Sequence, residues 1–169
     1  MKILVVGGNF AGATAALELK RKLKDNVEVT LIDRNENFVY IPSLIWVPIK
    51  RREVSEIIIP RKQVLEKKGV KFVLDTAIKV EPDENKVYCE NGTYEYDHLI
   101  IATGPKVNFD IAPGIKENAC YIGTPPGAMH TREKLEEFKQ NPGAIVIGAT
   151  QNAGCMGAAY EFLFNIEKW

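Results

Sequence analysis

An apolar run rich in branched residues, Ile3-Leu4-Val5-Val6, opens the chain and stops at Gly7-Gly8. Such a run suits a strand buried on both faces of a parallel sheet. Gly7-Gly8-Asn9-Phe10-Ala11-Gly12 predicts a tight turn, and Ala13-Thr14-Ala15-Ala16-Leu17-Glu18-Leu19 predicts a helix from its composition. A second strand is expected over Val27–Ile32, ending on Asp33. Residues 34–52 have no clear period and include Phe38-Val39-Tyr40-Ile41-Pro42-Ser43-Leu44-Ile45-Trp46, an apolar loop that must cover its own domain, a ligand or a partner. Residues 61–68 look helical with Gly69 as C-cap, and Val70–Leu74 is the expected third strand.

Farther along, Ala77–Glu81, Lys86–Glu90 and Thr93–Tyr96 read as a three-stranded antiparallel meander. Pro82-Asp83-Glu84-Asn85 divides the first pair, and Asn91-Gly92 divides the second with the composition of a type I′ turn. Residues 97–105 predict another buried strand, ending in Thr103-Gly104, with His98 at its start as a structural or exposed residue. A connector over 106–118 leads to a helix over about 126–140, closed by Asn141-Pro142-Gly143. Ala144-Ile145-Val146-Ile147-Gly148 then repeats the opening theme, with a helix expected from about Ala153. The fold class is α/β: a Rossmann-like domain over 1–110 with a meander insert at about 76–97, then a connector and an incomplete second α/β domain over 111–169.

Strand, glycine turn, helix, strand and terminal acid form a dinucleotide-binding βαβ unit. Glycines let the turn bend and let backbone N–H groups approach a pyrophosphate, which the helix N-terminus attracts. An acid about 20 residues on accepts hydrogen bonds from ribose hydroxyls, and Asp33 lies at that distance from Gly12. Asn9 stands where the pattern has its second glycine, and asparagine tolerates positive φ better than most residues. The second unit, Gly148-Ala149-Thr150-Gln151-Asn152-Ala153, keeps only the first glycine, so no second dinucleotide is expected there.

Charge narrows the choice of partners. Twenty-two basic residues balance 22 acidic ones, giving a net charge of zero, so nothing points to nucleic acid. The runs Lys20-Arg21-Lys22 and Lys50-Arg51-Arg52 read as solvated faces. No apolar run is long enough to cross a bilayer, and the start is not a signal peptide, which makes a cytoplasmic location the default expectation. Cys89, Cys120 and Cys155 are too widely spaced for a zinc pattern and too few for a disulfide scaffold, so no metal is expected. Cys89 reads as a small packing residue.

Val5-Val6-Gly7-Gly8-Asn9-Phe10-Ala11-Gly12, Ile32-Asp33-Arg34, the meander and Leu99-Ile100-Ile101-Ala102-Thr103-Gly104 together resemble two-dinucleotide-domain flavoproteins. These form the FAD-dependent pyridine nucleotide-disulfide oxidoreductase superfamily. Within it, residues 148–162, which contain Cys155, are most similar to sulfide:quinone oxidoreductases. The resemblance spans all 169 residues, but a family member is well over twice this length.

This resemblance implies FAD on the first βαβ unit, with its pyrophosphate over Gly8–Gly12, Gly7 also in the cofactor-binding set, and its adenosine ribose at Asp33, beside Arg34. Backbone at Ala77 would meet the adenine. Ala102, Thr103 and Gly104 would lie along the phosphate and ribitol, and Pro42 and Ser43 would approach the flavin. In the family, sulfide is oxidised at a cysteine pair beside the flavin and electrons leave to a membrane quinone. Cys155 fits one of the pair, and its expected place in the first turn of a helix favours thiolate.

One further family cysteine precedes a Thr-Pro, where this chain has Gly123-Thr124-Pro125, with Cys120 three residues earlier. The pairing cysteine, quinone site and peripheral membrane contact belong to the family's C-terminal half. The chain therefore reads as an N-terminal portion, whether truncated, cleaved or split. Tyr160, Phe162, Phe164, Ile166 and Trp169 would need another surface, such as a second copy or a complementary chain. Two other readings stay open: an NADH:quinone oxidoreductase of the same superfamily, and a non-catalytic flavin- or nucleotide-binding fragment.

Overall fold

The computed structural model describes every residue from Met1 to Trp169 except Asn152. The chain forms two compact units, Met1–Val39 with Ile59–Lys106, and Tyr40–Ile58 with Val107–Trp169.

In the first unit, β1 (Lys2–Val6) leads through the glycine turn into α1 (Phe10–Leu23), then β2 (Glu28–Asp33) and the short β3 (Asn37–Val39). The chain returns through β4 (Ile58–Pro60), which pairs with β3, into α2 (Arg61–Glu66) and β5 (Val70–Leu74). The meander follows as β6 (Ala77–Glu81), β7 (Lys86–Cys89) and β8 (Thr93–Glu95), and β9 (His98–Ile101) completes the unit. The main sheet has the order β5-β2-β1-β9 with every pair parallel, so the expected α/β architecture is present.

Val5 and Leu31 are fully buried and sit opposite each other in the register. They share a core with Ala16 of α1 and Leu65 of α2 on one face of the sheet. Leu4, Val6 and Ile32 point the other way, against Val87, Cys89 and Tyr96 of the meander segment. A strand covered on both faces explains the unbroken apolar run at 3–6. β9 departs from the buried strand expected: as an edge strand it leaves His98 exposed and Ile101 62% exposed.

The meander forms as expected, but its second turn does not. Neither Asn91 nor Gly92 has a positive φ, which excludes type I′. The buried Asp75 carboxylate organises this turn instead. Its Oδ1 accepts from the N–H of Thr76 at 2.8 Å, the N–H of Asn91 at 3.2 Å and Asn91 Nδ2 at 3.1 Å. Tyr94 donates its hydroxyl to Oδ2 at 3.4 Å.

Burial alone would raise the Asp75 pKa, but these donors outweigh it and hold the carboxyl below its ordinary value. A lowered folded pKa contributes stability that is complete above the unfolded value of about 4, and is lost as pH falls through the folded value. Asp75→Asn is therefore expected to lower the melting temperature at neutral pH, with the deficit shrinking as the pH falls below the ordinary carboxylate value of about 4. Thermal melts across that range test this, and a deficit independent of pH would contradict it.

The second unit carries the α-helices α3 (Ile115–Asn118), α4 (Pro125–Gln140) and α5 (Gly157–Glu167). Thr124 caps α4, its side chain accepting from the Gly127 N–H at 3.2 Å, and prolines fill the first helical positions. The aperiodic segment resolves as 3₁₀ turns over Ile41–Trp46 rather than a featureless loop. Ile45 and Trp46 of the stretch, with Ile49 beyond it, pack with Leu135 of α4 and Phe162 of α5, so this end of it covers the core of its own unit, while Tyr40 and Ile41 stay exposed.

Arg132 ties the segment that follows, 47–53, to α4. Its Nε donates to the Val47 carbonyl at 2.8 Å, Nη2 to the Arg52 carbonyl at 2.8 Å, and Nη1 pairs with Glu53 at 2.8 Å. Phe162, Ile166 and Trp169 thus find apolar partners within the unit, contrary to expectation, while Tyr160 and Phe164 remain exposed.

The strand expected over 144–148 does not form. A parallel strand is stable only beside neighbours that take up its backbone groups, and no strand of this unit is offered to it among the described residues. Val146 is consequently 94% exposed. Among the described residues no helix is long and apolar enough to cross a membrane.

Candidate functional site

Parallel pairing brings the C-terminal ends of β1, β2 and β9 to one edge of the first unit. The Gly7 N–H donates to the Ile32 carbonyl at 2.9 Å, and the Ala102 N–H donates to the Val6 carbonyl at 2.7 Å. Gly7, Asp33 and Ala102 therefore gather at the end of the sheet where ligands of open α/β folds bind.

Sterics make the turn glycine-dependent. Gly7 has φ +96°, and a Cβ there would strike the Ala102 carbonyl. A Cβ on Gly12 would run into the Gly7 carbonyl, so that glycine lets α1 lie against the turn. Asn9 has φ −86°, so the positive φ expected of it is not needed; the left-handed residue of the turn is Gly7. Asn9 is instead the N-cap of α1, yet its side chain makes no capping bond, and its buried Oδ1 has no partner. The first turn of α1 carries no acidic side chain. An uncapped, acid-free first turn of a 14-residue helix is a fitting receptor for an anion. Ala11 and Phe10 are exposed at this end, and Phe10 meets Phe38 edge to face at 4.9 Å.

Asp33 Oδ2 accepts from the Gly8 N–H at 2.6 Å, and Oδ1 accepts from the Asn35 N–H at 2.7 Å. The Gly8 amide is thus committed to the acid, and the part of the turn able to face an anion is the start of α1. Arg61 Nη1 lies 3.2 Å from Asp33 Oδ1, donates to the Asn35 carbonyl at 2.7 Å, and leaves Nη2 to reach the Asn37 carbonyl at 2.9 Å. Sequence reasoning missed Arg61, because its partners lie 24 and 26 residues away and no motif marks it.

The other expected residues fall as follows. Arg34, Thr103 and Gly104 are exposed, Gly104 with φ +74° and open space where a Cβ would stand. Ala77 is half-buried against the meander core. Pro42, exposed, and Ser43, buried, belong to the second unit, as does Cys155. A cavity of about 360 Å³ in the first unit, lined by Lys2, Glu28 and Lys71 among others, opens at the N-terminal strand ends, away from this site.

The three cysteines differ sharply. Cys155 is exposed and precedes Met156, the N-cap of α5, so it lies just outside the helix and not in its first turn. Asn152 lies outside the described residues. Cys120 is exposed as well. Cys89 is buried, and desolvation, together with the charge of Asp75, pushes its thiol up to about 11. At pH 8 only about one Cys89 in a thousand is thiolate even where reagent reaches it. Iodoacetamide with peptide mapping is expected to label Cys120 and Cys155 and leave Cys89 untouched; early Cys89 labelling would contradict this packing.

Residues 1–159 match the family described as Pyridine nucleotide-disulphide oxidoreductase. The chain is 37% identical over 161 residues to a sulfide-quinone reductase of Aquifex aeolicus, covering 95% of this chain and 37% of that protein. It is 29% identical over 137 residues to a type II NADH:quinone oxidoreductase of Staphylococcus aureus, covering 80% of this chain and 34% of that one. The crystal structure of the sulfide:quinone oxidoreductase from Aquifex aeolicus superposes with a TM-score of 0.91 at 35% identity, over 99% of this chain and 40% of that one. The chain thus spans well under half the length of these relatives.

Proposed function

Because the chain belongs to the pyridine nucleotide-disulphide oxidoreductase family, we propose that it is the FAD-binding portion of a sulfide:quinone oxidoreductase. Membership implies an oxidoreductase with a flavin cofactor; the finer reading assigns FAD, sulfide as donor and quinone as acceptor. The observation that carries it is the 37% identity to the Aquifex aeolicus sulfide-quinone reductase along 95% of the chain. The uncapped start of α1 and the fixed Asp33 carboxylate fit a dinucleotide.

In this reading the first turn of α1 holds the pyrophosphate, Gly7 and Gly12 let it approach, and Asp33 accepts from the adenosine ribose, with Arg34 at the rim. Ala77 meets the adenine, and Ala102, Thr103 and Gly104 border the phosphate and ribitol, while Pro42 and Ser43 approach the isoalloxazine. The bound flavin supplies a two-electron acceptor. Cys155 acts as the sulfur nucleophile, in keeping with its exposure. The quinone site, the pairing cysteine and any peripheral attachment to a membrane face lie in the remaining length that the relatives have. The exposed Val146, Tyr160 and Phe164 supply apolar surface for that remainder.

A second reading, NADH:quinone oxidoreduction, draws on the Staphylococcus aureus relative. Against it stands the segment 148–153, which keeps only the first fingerprint glycine, Gly148. Anaerobic addition of each donor to the complete protein separates the two. Rapid flavin bleaching by sulfide but not by NADH is expected, and the reverse would replace the first reading with the second.

A further inference from the structure

We infer that Arg61 is the positioning residue of the ribose-binding acid, the group that fixes where the Asp33 carboxylate points. This rests on the reading of Asp33 as the ribose acceptor. Arg61 is only 4% exposed, unusual for arginine, and it stacks its guanidinium 5.7 Å from the centre of the Phe72 ring. From that platform it grips the carbonyls of Asn35 and Asn37 and presents positive charge to Asp33 Oδ1 at 3.2 Å.

A largely buried carboxylate stays ionised at little cost only when donors and an opposite charge surround it. Arg61 supplies that charge, while the Gly8 and Asn35 amides supply hydrogen bonds. A carboxylate has about four lone-pair positions. The Gly8 amide takes one position on Oδ2 and the Asn35 amide one on Oδ1, with Arg61 ion-paired on the Oδ1 side, and an Oδ2 position is left for an incoming hydroxyl. The space behind Gly8 shows the same fit: a Cβ there would come within 3.0 Å of Arg61 Nη1. Arginine suits this place because its planar fork reaches two carbonyls and the acid together, which a lysine cannot.

The test is a double-mutant cycle on FAD affinity in the complete protein, using Asp33→Asn, Arg61→Met and the double variant. Each single change is expected to weaken FAD about 10- to 100-fold, the loss of a charge-assisted contact. The double variant is expected to bind no more weakly than Asp33→Asn alone, because Arg61 acts through that carboxylate. If Asp33→Asn weakens FAD while Arg61→Met does not, or if the two losses add, Arg61 is not the positioning residue and the ribose assignment stands. If Asp33→Asn leaves FAD affinity unchanged, the ribose assignment itself fails and takes the inference with it. Should Arg61→Met not fold, Arg61→Lys goes through the same cycle with a smaller expected loss and the same overturning outcomes.

Discussion

Gly12→Val is expected to remove flavin from the purified complete protein altogether. The branched side chain would have to occupy space already held by the Gly7 carbonyl, which is main chain and cannot rotate away. Overpacking of this kind costs about 1–3 kcal/mol or more, and relief requires moving α1 off β1. Such movement carries away the first-turn amides and opens the contact between Ala16 and the sheet. Flavin content read from the visible spectrum, with far-UV circular dichroism to report the fold, measures the effect. Stoichiometric flavin in Gly12→Val would mean that α1 does not sit as close to the turn as described.

Cys155→Ser is expected to leave flavin content unchanged and to reduce sulfide-dependent quinone reduction by about a thousandfold or more, as loss of a nucleophile does in other enzymes. The residue lies outside the glycine turn and is accessible, so the change removes sulfur chemistry without touching the proposed cradle. Serine nearly keeps the size and loses the polarisable sulfur nucleophile. Steady-state turnover of the variant gives the answer, and turnover within a few-fold of wild type would remove Cys155 from the mechanism.

What could be read from the sequence follows from how local each determinant is. β1 was legible because burial on both faces demands an unbroken apolar run, and its end because Gly7 needs a φ of +96°. The meander strands could be read from their spacing, but not the Asn91 turn, since its geometry depends on Asp75 hydrogen-bonding across 16 residues. The 3₁₀ turns over Ile41–Trp46 carry no 3.6-residue or two-residue period to detect. Ala144–Gly148 has the composition of a strand and lacks only neighbours, which composition cannot supply. Asp33 was visible by its distance from Gly12; Arg61, which holds main-chain carbonyls, leaves no pattern in side-chain identities.

Releasing the bound cofactor from the purified complete protein by heat, and identifying it by chromatography, addresses the cradle most directly. FAD at one per chain is predicted, because the proposed reading puts a diphosphate on the turn before α1 and an adenosine ribose on Asp33, and family membership implies the flavin. Release of FMN, NAD or AMP, or of no nucleotide at all, would contradict it.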